Sequence, residues 1–174
     1  MRGAKRWLTS ALALCSVACA GPGASKHADR CEVAPIPSNE IPEGRDLRAR
    51  MRVTAGRREI GLEVVARETG GDLVVVGFTP YGVRLFTVRQ EGRKVSVEAA
   101  ASRDVGPLPF FVMDALHRLY FAGVSSAPSD GVSIEYPEVS RAAASVAAPV
   151  AIRNSRCGYE AVVVTLEATP QPGE

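Results

Sequence analysis

GDLVVVGFTPYGVRLFTVRQEGRKVSVE, residues 71–98, is the stretch that decides the fold. Leu73-Val74-Val75-Val76 is a short apolar run, and Thr79-Pro80-Tyr81-Gly82 reads as a turn. Val83–Val88 is a second run, and Glu91-Gly92 turns the chain into a third, Val95–Glu98. Short β-branched runs separated by Pro/Gly turns read as consecutive hairpins. Upstream, Leu47, Ala49, Met51 and Val53 alternate with Arg48, Arg50, Arg52 and Thr54, while Ile60, Leu62, Val64 and Ala66 alternate with Glu59, Glu63 and Arg67. Period-two alternation marks strands with one wet face. Gly56, Gly70, Gly82 and Gly92 fall 14, 12 and 10 residues apart. That spacing predicts an antiparallel meander of about five strands. Strands three and four are apolar on both faces. Either something covers the second face or the sheet curls around a cavity.

The predicted cover is Pro109 to Phe121, in which only Asp114, His117 and Arg118 are polar. Pro107 and Pro109 suit a helix start and Gly123 its stop. A helix apolar over most of its circumference must be buried on several sides. Beyond it, Gly131–Glu135, Pro149–Arg153 and Tyr159–Glu167 read as further strands. The Ala-rich piece 141–148 fits a strand or a helical turn equally.

The N-terminus reads as an export signal. Arg2, Lys5 and Arg6 precede an apolar run from Trp7 to Ala20, too short to span a bilayer stably. It ends in Ser16-Val17-Ala18-Cys19, so residues 1–18 are expected as a lipoprotein signal peptide and Cys19 as the residue that carries the lipid (palmitate) anchor. Ala18-Cys19-Ala20 also fits ordinary cleavage before Gly21, which would leave a soluble periplasmic protein. Ala20 after the cysteine points to the outer membrane, facing the periplasm. Residues 19–45, with Gly21, Pro22, Gly23, Pro35, Pro37 and Pro42, read as a flexible tether. Residues 46–168 form the domain, and 169–174 read as a disordered tail.

The formal charge of +2 belongs partly to the signal. Without it, 18 Lys and Arg face 19 Asp and Glu, and no basic field argues for nucleic acid. Of the four cysteines, Cys15 leaves with the signal and Cys19 takes the lipid. Cys31 and Cys157 remain, an even pair in an oxidising space, and read as a disulfide. Closing so long a loop stabilises by about 4–5 kcal/mol in the chain-entropy model.

Catalytic constellations are sparse. His27 lies in the tether. Asp114 and His117 form an Asp-x-x-His pair on one helix face, able to orient a base but tied to no Ser or Cys nucleophile. It reads first as a structural pair. No phosphate-cradling glycine loop, nucleophile elbow or His/Cys ligand cluster is present in the sequence, so neither catalytic residues, cofactor nor metal is expected.

The stretch 71–98, followed by Pro107-Leu108-Pro109 and an apolar helix, resembles a family of uncharacterised bacterial lipoproteins. Ile152-Arg153-Asn154…Gly158-Tyr159 before the last strand resembles it too. The likeness extends more distantly to the outer-membrane lipoprotein receptor of the Lol system. It implies a mainly β (α+β) fold, an antiparallel sheet curled into a half-barrel with one or more helices closing its apolar concave side. Association of the family with aryl-polyene lipid synthesis implies lipid-like cargo. The Pro-x-Gly turn of the Lol receptor carries an exposed Leu that helps pass lipoproteins to the membrane, and the matching residue here is Tyr81. An aromatic with one polar end suits a membrane interface. The expected function is to bind or pass on an acyl chain, with Val75, Leu85, Phe111, Met113 and Leu116 lining the cavity. An envelope scaffold with a filled core is the alternative, and an enzyme on envelope lipids a third reading.

Overall fold

A computed structural model describes residues 36–100, 105–121, 131–136 and 148–168. The signal segment, Cys19, His27, Cys31, residues 19–35 of the tether, residues 137–147 and the tail lie outside the described residues.

Eight strands make one antiparallel sheet: β1 (Asp46–Ala55), β2 (Arg58–Thr69), β3 (Asp72–Phe78), β4 (Arg84–Glu91), β5 (Lys94–Ala100), β6 (Val132–Glu135), β7 (Val150–Asn154) and β8 (Tyr159–Ala168). Their order is β5-β4-β3-β2-β1-β8-β7-β6, an open sheet with the predicted meander as one half. A single helix among the described residues, α1 (Leu108–Leu116), continues into a π-helical turn, His117–Phe121.

Alternation does what the sequence implies. Leu47, Ala49, Met51 and Val53 of β1 and Leu62, Val64 and Ala66 of β2 are buried, and Arg48, Arg50 and Arg52 are exposed. The inward residues join Val112, Met113, Ala115 and Leu116 of α1 in one core. His117 reaches Gln90 of β4, and Asp114, one helical turn earlier, reaches Asn154 of β7. Five strand spacings separate β4 from β7, about 24 Å in a flat sheet at about 4.8 Å each. One helix holding partners on both fits a curled sheet. The curl has local causes as well. The register slips between Gly77 and Phe78, between Thr87 and Val88, and between Arg48 and Ala49, and such bulges bend and twist a strand. The buried Phe86 ring lies over Gly77, where a Cβ would stand 2.4 Å from it, so any side chain here would force the ring to move.

Two expectations change. Residues 36–45 do not hang free as tether but are seated against one end of the sheet. Ser38 is fully buried: its hydroxyl donates to the carbonyl of Gly71 and accepts from the N–H of Gly92 at 2.8 Å. The Gln90 amide donates to the Ile36 carbonyl at 2.9 Å, the Gly44 N–H donates to Glu68 at 2.7 Å, and Ile41 enters the core. The proline content that suggests a tether is compatible with this because the segment is held by the backbone of the Gly71 and Gly92 turns and by the side chains of Glu68 and Gln90. Nor does β3 bury both faces. Leu73 and Val75 are fully buried, while Val74, Val76 and Phe78 stay partly exposed on the outer side. Val74 pairs across strands with Arg67 and Arg89, whose aliphatic stems shield such a neighbour without a second layer.

Candidate ligand recess

In an antiparallel sheet the β1–β2 turn, the β3–β4 turn and the β7–β8 turn fall at one end, opposite the seat of residues 36–45. At that end the concave side holds a hollow of about 330 Å³. Val53 and Ile60 of the first hairpin form one wall, Leu108 and Phe111 of α1 another, and Cys157 and Gly158 close a third side. Ala55 and Arg58, paired across the hairpin mouth, stand at the rim.

The wall is fixed from behind by a buried polar network. Phe111 stacks on Tyr159 with ring centroids 4.9 Å apart. The Tyr159 hydroxyl donates to Asp114 Oδ2 at 2.6 Å, as does the Asn154 side-chain amide at 2.7 Å. Arg118 Nε donates to Asp114 Oδ1 at 2.8 Å, and Asn154 Oδ1 accepts the Cys157 N–H at 3.1 Å. A buried carboxylate that accepts three such bonds is compensated, and removing one partner would leave it exposed to the full cost of burial. Burial, with Asp114 beside it, pushes the Tyr159 hydroxyl far above the usual tyrosine range, so it stays a donor.

His117 belongs to a second network at the closed end. Its Nε2 lies 2.7 Å from Gln90 Oε1, and the Gln90 amide nitrogen is held by two carbonyls, Ile36 and Gly92. The Gln90 oxygen can only accept, so His117 donates from Nε2 and leaves Nδ1 bare. Nδ1 has no partner. Burial, and then the Arg118 charge, lower its pKa to about 4. Asp114 and His117 are both fully buried and bond to different partners. They are not a base and its orienting acid.

The expected lining residues divide. Phe111 lines the recess. Val75, Met113 and Leu116 are fully buried in packed core, and Leu85 is half-buried against it. Tyr81 is 92% exposed at the tip of a turn closed by the Thr79 N–H to the Val83 carbonyl at 2.8 Å, with exposed Val83 beside it. Cys157 is disulfide-bonded, and the other three cysteines lie outside the described residues. Missed by the sequence reading were Val53, Ala55, Ile60, Leu108 and the Gly106-Pro107 entry to the helix. Their only signal is inward alternation at a hairpin end.

Residues 46–130 match the family described as Protein of unknown function (DUF3261). The matched span runs from β1 through the helix, so it contains the hairpin wall and the helical wall of the recess, while Cys157 and Gly158 come from beyond it. An uncharacterised family is what the sequence likeness led us to expect. No curated protein matches the chain. Among the described residues, no helix is long and apolar enough to cross a membrane, and no group of three or more His, Cys, Asp or Glu could hold a metal ion.

Proposed function

We propose that this protein is a lipid-anchored envelope protein, facing the periplasm from the outer membrane, that binds an acyl chain or similar apolar ligand in the recess of a half-barrel. The observation that carries the reading is the hollow itself. At about 330 Å³ it lies within the range of small-ligand sites, and its walls are Val53, Ile60, Leu108 and Phe111. Each methylene buried there contributes about 0.8 kcal/mol. The exposed Tyr81 turn projects from the same end of the sheet, an arrangement suited to exchanging ligand at a membrane surface. The reading is of a binder and not a catalyst, since Asp114 and His117 are sealed in separate networks. In this reading Cys19 carries the anchor and Cys157 pairs with Cys31.

Ala55 stands at the rim with its side chain toward the hollow, so Ala55→Phe should fill part of it. Mass spectrometry of the purified wild-type protein should find co-purifying lipid, and a fluorescent acyl probe should bind it but not the variant. Equal probe binding by both proteins sinks the recess as the site. A protein that binds no probe and carries no lipid would instead be a scaffold, the reading favoured by the packed core at Val75, Met113 and Leu116. Cys19→Ser should move the protein from the membrane to the soluble fraction.

A further inference from the structure

Most of the described arginines are partnered. Arg48 and Arg50 meet Glu63, Arg52 meets Glu59, Arg67 meets Asp46, Arg89 meets Asp72 and Glu98, Arg118 meets Asp114, and Arg153 meets Glu160. Four among the described residues have no side-chain partner there: Arg57, Arg58, Arg84 and Arg156. Three of them, Arg57, Arg58 and Arg156, lie at the recess end, whereas Arg84, opposite Phe78 and so level with Glu63, lies farther back along the sheet. Arg57 and Arg58 are in and beside the β1–β2 turn, Arg84 follows the β3–β4 turn, and Arg156 is in the β7–β8 turn. Strand pairing of Thr54 with Glu160 sets the first and last turns level. Glu59 and Glu160, close to these turns in the chain, are already committed to Arg52 and Arg153. Unpaired positive charge on Arg57, Arg58 and Arg156 therefore stands at the recess end, and Arg58 itself lines the recess.

We propose that the ligand of the recess is an anionic single-chain amphiphile, its chain on Val53, Ile60, Leu108 and Phe111 and its carboxylate or phosphate head on Arg58. This rests on the recess being the binding site and adds the class of ligand. A chain that ends in a charge cannot bury that end without a counter-charge, and a guanidinium offers a forked donor set matched to carboxylate and phosphate oxygens. A neutral apolar ligand would leave Arg58 without purpose at an apolar mouth. The hollow, about 330 Å³ and open on one side, has room for a chain of medium length, so ten-carbon probes suit the test.

Calorimetric titration of the full mature protein with decanoate, decyl phosphate and 1-decanol separates the layers of this reading. Decanoate and decyl phosphate should bind at least about tenfold tighter than 1-decanol at low ionic strength, with the gap shrinking as salt is added. Arg58→Gln should bring the ratio to within about twofold, whereas Arg57→Gln with Arg84→Gln and Arg156→Gln should keep most of it. Equal binding of decanoate and decanol by the wild type overturns the anionic head and leaves the apolar recess standing. A preference that survives Arg58→Gln but vanishes in the triple variant means a general surface field, and overturns the assignment to Arg58. Binding of none of the three removes the recess reading together with this one.

Discussion

The two ends of the concave side are built from the same kinds of residue and end differently. At the closed end, Leu73, Val75, Phe86, Met113 and Leu116 have no exposed area, and Ser38 and Ile41 are packed in beneath them. At the other, Val53, Ile60, Leu108 and Phe111 surround empty space. Both sets alternate along their strands in the same way. The difference lies in what stands opposite. The C-terminal half of α1 presents long side chains to the sheet and the segment 36–45 plugs the gap below. The helix begins at Leu108, after Gly106 and Pro107, and leaves the hairpin end uncovered. Alternation says which way a side chain points, and packing decides whether anything meets it.

Substitutions can break this contrast. The largest effect is expected for Leu116→Ala, which opens a hole in close-packed core and should cost about 2–5 kcal/mol in urea unfolding. Leu108→Ala, beside space already empty, should cost clearly less. Equal losses would mean that the two ends are packed alike. This also corrects the expectation that Leu116 lines the site: Leu116→Trp should overpack and destabilise by about 1–3 kcal/mol without competing for a probe.

Acid comes next. His117 is neutral when folded with its pKa lowered to about 4, against 6.5 for the free side chain. Between those values the unfolded chain holds the proton and the folded chain does not. Stability is therefore full above pH 6.5 and lost as pH falls toward 4, by roughly 3 kcal/mol at most. Because His117 holds Gln90, and Gln90 holds Ile36, the loss should begin at the closed end. Denaturation between pH 7 and 4 should show a flatter slope for His117→Gln than for the wild type, and parallel slopes would remove His117 as the cause.

Gly77→Ala should cost about 1–3 kcal/mol, because the ring of the fully buried Phe86 occupies the place of the new methyl group. A neutral result would detach the curl from this contact. The smallest change in stability, within about 0.5 kcal/mol, is expected for Ala55→Phe at the rim, even as probe binding is lost.

Much of the architecture was legible in the chain. The turn at Thr79–Gly82, the alternation of β1 and β2, and the apolar run from Phe110 led to the right strands and the right helix. These are local signals, and backbone geometry turns a period of two or of 3.6 directly into a buried face. The candidate site was legible in one residue, Phe111. Val53 and Leu108 are far apart in the chain, and nothing in either neighbourhood says that they face each other across a gap.

The amino-acid sequence by itself determined the elements, their facing and the antiparallel meander, because each follows from contacts within a few residues. Tertiary structure alone decided that Ser38 and Ile41 close one end, that Asp114 and His117 serve separate networks, and that the unpartnered Arg57, Arg58 and Arg156 gather at the other end. These depend on the pairing of β1 with β8 and on the reach of one helix from β4 to β7. Such long-range juxtapositions are set by how the whole sheet curls, and no local stretch of residues records them.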